Sequence, residues 1–74
     1  MSASLDEQVF FPWQLAEAID FIRGLPPRTR VYVDEWQAGA WRFVFGDDPE
    51  HASKGLTRLK AGSRFRVRPQ AALS

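Results

Sequence analysis

Near its end the chain reads SRFRVRP, from Ser63 to Pro69. Drawn as a β-strand, this stretch sends Arg64, Arg66 and Arg68 to one face and Phe65 and Val67 to the other. Guanidiniums in such a row can hold carboxylates in bidentate hydrogen bonds or neutralise phosphates. Lys54, Arg58 and Lys60 precede them, and no acid follows Lys54, so residues 54–74 carry +6. Residues 1–53 hold all nine acids against four arginines, a balance of −5. The charge is therefore strongly polarised although the net value is only +1. Two arrangements fit this pattern. In one, the arginines are a solvated strand face that pairs across to Asp34 or Glu35 and guards a sheet edge. In the other, all six cations form one basic surface.

A basic surface meets either acidic protein or phosphate. The sequence pI of about 8.3 lies below the value of about 9 typical of nucleic-acid-binding domains. Phe65 shares a side with Val67, so the strand does not offer the stacked aromatics of an RNA-recognition sheet. The acidic half would also repel a phosphate backbone. The expected partner is therefore a larger protein or complex with an acidic surface. Arg64, Arg66 and Arg68 supply the contacts, and Arg58, Lys60 and Lys54 extend the patch. Nucleic acid held by its phosphates along the same cations is the alternative. Trp36, near the tip of an expected hairpin, is the candidate aromatic anchor. Its plainer role, which the pattern favours, is a cross-strand partner for Trp41. Trp41 itself is expected in the core.

Catalysis finds little support. His51 is the only histidine and there is no cysteine, so a nucleophile–base pair has one candidate member and no motif around it. The cluster DDPEH gathers Asp47, Asp48, Glu50 and His51, all able to ligate a metal. Acids at a helix start are expected without one, so capping is the favoured reading. No enzyme activity, cofactor or metal is expected.

The elements that must position these residues are few. Residues 1–7 read as a flexible start, 8–69 as one domain and 70–74 as a frayed tail. Helical spacing of Leu15, Ile19 and Ile22, with Ala18 and Phe21 beside them, predicts a first helix from Pro12 to Arg23. Gly24 and Pro26-Pro27 stop it. RTRVYVDEW and AWRFVFG flank Ala38-Gly39 as an antiparallel hairpin. An even loop puts Trp36 opposite Trp41 and Glu35 opposite Arg42. It also places Tyr32, Asp34, Trp36, Trp41, Phe43 and Phe45 on one face, with Val31, Val33 and Val44 on the other. Asp48, Pro49 and Glu50 open a short second helix bearing Ala52, Leu56 and Leu59, weakened by Gly55 and ended by Gly62. A last strand, stopped by Pro69, pairs beside the hairpin. The sum is an α+β domain: helix, hairpin, short helix, strand, with a three-stranded, mainly antiparallel sheet packed by the first helix.

The segment from Arg28 to Pro69, a hairpin, a helix and an arginine-bearing strand ending in RFRVRP, resembles the layout of the small RNA-polymerase inhibitor made by T7-like phages. That resemblance implies a small binding inhibitor acting on transcription machinery. The first helix departs from it. The apolar VFFPW, residues 9–13, is the rival surface: Trp13 either staples this segment onto the helix or leaves it as an exposed patch through which copies associate. No signal peptide or membrane span is read, and the lack of cysteine suits a reducing, cytoplasmic setting.

Overall fold

The computed structural model describes residues 6–59 and 62–71. In chain order it has β1 (Gln8–Phe10), a 3-10 turn (Pro12–Gln14), α1 (Leu15–Arg23), β2 (Thr29–Gln37), β3 (Ala40–Asp47), α2 (Pro49–Arg58) and β4 (Phe65–Ala71). The α+β class is as expected, but the sheet has four strands, not three. Its order is β1-β4-β2-β3 and every pair is antiparallel. The extra strand is the start of VFFPW. Phe10 pairs with Phe65 and buries its ring 5.9 Å from both Phe65 and Phe21, which repays ordering a three-residue edge. The expected first helix divides in two at Gln14, whose side-chain Oε1 accepts the Phe11 N–H at 3.0 Å.

The hairpin turns on Ala38 and Gly39, with φ of 52° and 80°, the positive pair that a type I′ turn demands. This loop gives the expected pairs Trp36 with Trp41 and Glu35 with Arg42. Beyond them the alternation breaks. Val33 pairs with Phe45 but Asp34 pairs with Phe43, leaving Val44 as a bulge. One extra residue flips everything after it. Phe45 therefore joins the valines on the helix-facing side, not the Tyr32 side, and Val44 is 38% exposed.

α2 is continuous through Gly55. A Cβ at that position would stand 2.8 Å from the Phe45 ring, so the glycine is where strand β3 meets the helix. Asp48 caps α2, accepting the His51 N–H at 2.8 Å, and the helix ends at Arg58, ahead of Gly62. β4 passes through Pro69, which pairs with Val31, and reaches Ala71; the expectation that Pro69 ends the strand does not hold. β1 stops opposite Val67, so β4 has an open side beyond it, where a missing N–H leaves no ladder bond unmade. Gln70 is thus strand, not tail; residues 1–5 and 72–74 lie outside the described residues.

Both helices cover one face. Ala18 and Ile22 of α1 and Ala52 and Leu56 of α2 bury against Phe10, Val31, Val33, Phe65 and Val67. Each large apolar side chain removed from water here contributes about 1.5–3 kcal/mol. Among the described residues, no helix is long and apolar enough to cross a membrane. Among the described residues no helix lies over the opposite face of the sheet, and Arg66 and Arg68 of β4 stand there.

Candidate functional site

Alternation along β2 and β4 puts Tyr32, Asp34 and Trp36 on the open face beside Arg66 and Arg68. Trp41 and Phe43 join them from β3, and Val9 from β1, opposite Arg66. Trp41 is therefore not a core residue as expected; it is half-buried on the open face. Gly46 also opposes Tyr32. A Cβ there would lie 2.6 Å from the Tyr32 ring, so the absence of a side chain lets the ring lie across β3.

Asp34 sits at the centre. It is only 3% exposed, a burial that a carboxylate tolerates only when paired. Arg66 donates to its Oδ2 from Nε at 3.0 Å and approaches it with Nη2 at 2.9 Å. Arg68 donates from Nε to Oδ2 and from Nη2 to Oδ1, the latter at 3.1 Å. Glu7 lies 3.2 Å from Arg66 Nε as well. The cross-strand pairing to Asp34 read from the sequence is thus realised for two of the three arginines. Glu35, the other acid considered, instead accepts the Gly62 N–H at 3.1 Å.

Arg64 behaves differently. It is exposed, and its guanidinium lies 5.8 Å from the Phe11 ring centroid and 5.6 Å from that of Trp36. Trp36 meets Trp41 edge-on at 5.2 Å, and Arg66 covers Trp41 at 4.7 Å. Arg68 lies over Tyr32 at 5.5 Å, and Tyr32 meets Phe43 at 6.3 Å. At the other end Trp13 stacks parallel on Phe11. Pairs of rings and single guanidiniums therefore adjoin one another across the face, from the β1 end to β3. Each such contact contributes about 0.5–1 kcal/mol at exposed positions. Trp36 is thus the cross-strand partner of Trp41 that the pattern favours, and it also lies beside Arg64.

The remaining expected cations are not brought to this surface. Lys54 and Arg58 are exposed on α2, on the helix-covered side of the sheet. The single six-cation surface does not form, because β4 alternates its arginines away from the helices. Lys60 lies outside the described residues.

The acidic cluster is folded into the α2 cap. Asp47 Oδ1 accepts the Asp48 N–H at 2.9 Å, and Asp48 accepts the His51 ring Nδ1–H at 2.9 Å in addition to the backbone bond. This hydrogen bonding and the attraction of Asp48 raise the His51 pKa above 6.5, and the bonds from His51 lower that of Asp48 below 3.8. Asp47, Asp48 and His51 do bring potential metal-ligand atoms within 4.8 Å of one another. Capping accounts for the same geometry.

Sequence reasoning missed the contribution of Phe11, Tyr32 and Glu7 to the arginine face. Alternation does place Tyr32 on the face of Asp34, without pairing it to an arginine; Phe11 and Glu7 depend on β1 joining β4, which a three-residue strand scarcely signals. No family model, no curated protein and no solved structure matches this chain.

Proposed function

We propose that this chain is a small non-catalytic binding module, an adaptor, regulator or inhibitor, that engages an acidic surface of a larger protein with the open face of its sheet. One observation carries the reading. With both helices on one side, Val9, Phe11, Trp13 and Phe43 are 46%, 39%, 79% and 62% exposed beside adjoining arginines and aromatic rings. Apolar patches rimmed by polar groups mark interaction sites, and Trp, Tyr and Arg dominate their hot spots.

A second copy face to face suits this surface poorly, since a two-fold axis would bring Arg64, Arg66 and Arg68 towards their own images. Nucleic acid has one point in its favour, the stacking of exposed rings beside a cation. Against it, Asp34 and Glu7 already neutralise two of the three arginines, leaving no row of free cations for successive phosphates.

The test is affinity capture from native lysate of the source cells, with and without nuclease, comparing wild type with Arg64→Glu and Phe43→Asp, both checked to be folded. The reading expects a protein retained through nuclease by wild type and lost by both variants. Recovery of nuclease-sensitive material alone, or of the same partners by all three proteins, overturns it.

A further inference from the structure

VFFPW and the arginine strand are rival surfaces in the sequence, yet the fold makes them one. The Arg64 guanidinium lies over two rings, 5.8 Å from the centroid of Phe11 and 5.6 Å from that of Trp36. Trp13 stacks on Phe11 at 4.8 Å with 3° between the rings, and is 79% exposed. The turn that carries these rings is tied down: Gln14 N–H donates to the Phe11 carbonyl at 2.8 Å, Phe11 N–H to Gln14 Oε1 at 3.0 Å and Gln14 Nε2 to Glu17 at 3.1 Å. Arg64 is fixed in turn through its carbonyl, which accepts the Trp36 N–H at 2.9 Å.

Arg66 and Arg68 are neutralised by Asp34 and Glu7, but Arg64 makes no ion pair among the described residues. A guanidinium held against rings still has planar N–H groups matched to a carboxylate, and these form no ion pair here. We infer that Arg64, set beside Phe11 and Trp36, is a receptor for a protein carboxylate. The carboxylate of a Glu or Asp meets the guanidinium edge, while an adjoining apolar ring of the same peptide stacks on Trp13. The inference rests on the protein-binding reading above and gives the chemistry of the partner. A phosphodiester chain fits less well, because beyond Arg64 its next phosphates would meet only arginines already paired with Asp34 and Glu7. A single carboxylate at Arg64 needs neither of them.

The probe is a short acetylated and amidated peptide of alternating Glu and Phe, titrated into the full chain while Arg Nε–H and Trp indole N–H signals are followed by NMR. Its Gln-for-Glu counterpart and a short oligothymidylate serve as the other arms. The Arg64 and Trp13 signals are expected to move together with the Glu peptide. The Gln peptide, Arg64→Lys and Trp13→Ala should each weaken binding by about ten-fold, since a lysine keeps the charge without the planar fork. Both residues are exposed, so the variants should keep the wild-type amide spectrum. Equal binding of the Gln peptide, unchanged binding by Arg64→Lys, tighter binding of the oligothymidylate, or no shift at millimolar peptide each overturns the receptor. If Phe43→Asp loses the cellular partner while Arg64→Lys and Trp13→Ala keep it, the open-face reading stands and the receptor falls.

Discussion

Arg66 reaches across from β4 to the buried carboxylate of Asp34 on β2, with Nε at 3.0 Å and Nη2 at 2.9 Å from the same oxygen. Arg68 completes the arrangement from two residues along the strand. Asp34 is thus the shared acceptor that ties Arg66 and Arg68 together and offsets their charge. Asp34→Ala leaves two half-buried guanidiniums without their shared acceptor. The expected cost is about 2 kcal/mol, below the 3–5 kcal/mol of a fully buried pair because the arginines retain contact with water. Urea unfolding of wild type and variant measures it; an unchanged midpoint would show that solvent compensates both arginines.

Gly55 illustrates a different dependence. Alanine is favoured over glycine inside a helix by about 1 kcal/mol, so propensity alone makes Gly55→Ala stabilising. The Phe45 ring occupies the space a methyl would need, and overpacking of this kind costs about 1–3 kcal/mol. Gly55→Ala should therefore lower the melting temperature, and Gly55→Ala with Phe45→Leu should recover it. A rise in the single variant contradicts the packing of β3 on α2.

The turn residue Ala38 bears a φ of 52°, a conformation that asparagine and glycine adopt at lower cost than alanine. Ala38→Asn should stabilise the protein by about 0.5–1 kcal/mol without altering the Trp36–Trp41 register. Calorimetry reads the gain, and cross-strand NOEs between the two indoles read the register.

How far the sequence reveals all this depends on the range of the interaction. Helix starts are local: Asp48, Pro49 and Glu50 mark α2 correctly because a cap involves only neighbours in the chain. The Trp36–Trp41 pair follows from a two-residue loop. The bulge at Val44 does not, since nothing in WRFVFG says which residue is left over; in the fold it accompanies the packing of Phe45 against Gly55. The arginine row is legible by alternation, as is one of its possible counter-ions, Asp34. That Lys54 and Arg58 face away is a consequence of which side of the sheet α2 covers, and no spacing states that. The union of Arg64 with Phe11 needs β1 beside β4, a long-range pairing of three residues.

The α2 cap should be pH-dependent in a defined direction. His51 has a pKa raised chiefly by its hydrogen bond to Asp48, so its contribution is complete below pH 6.5 and lost as pH rises through the folded value. Asp48 has a pKa lowered chiefly by its bond from the His51 backbone, so its contribution is present above pH 3.8 and lost as pH falls through the folded value. The cap is held best between these limits. An NMR titration of the His51 ring should give a midpoint above 6.5 that returns towards 6.5 in Asp48→Asn. A midpoint insensitive to that substitution would remove Asp48 as the cause.

The central claim is that the open face of the sheet, and not the helix-covered side, is the interacting surface. A photo-crosslinking amino acid placed at Phe43, and separately at Arg58, in nuclease-treated native lysate tests it most directly. The account predicts a discrete protein adduct from position 43, lost on adding Arg64→Glu, and none from position 58. An adduct from position 58 with none from position 43 would move the function to the helices and leave the arginine row as a structural feature of the fold.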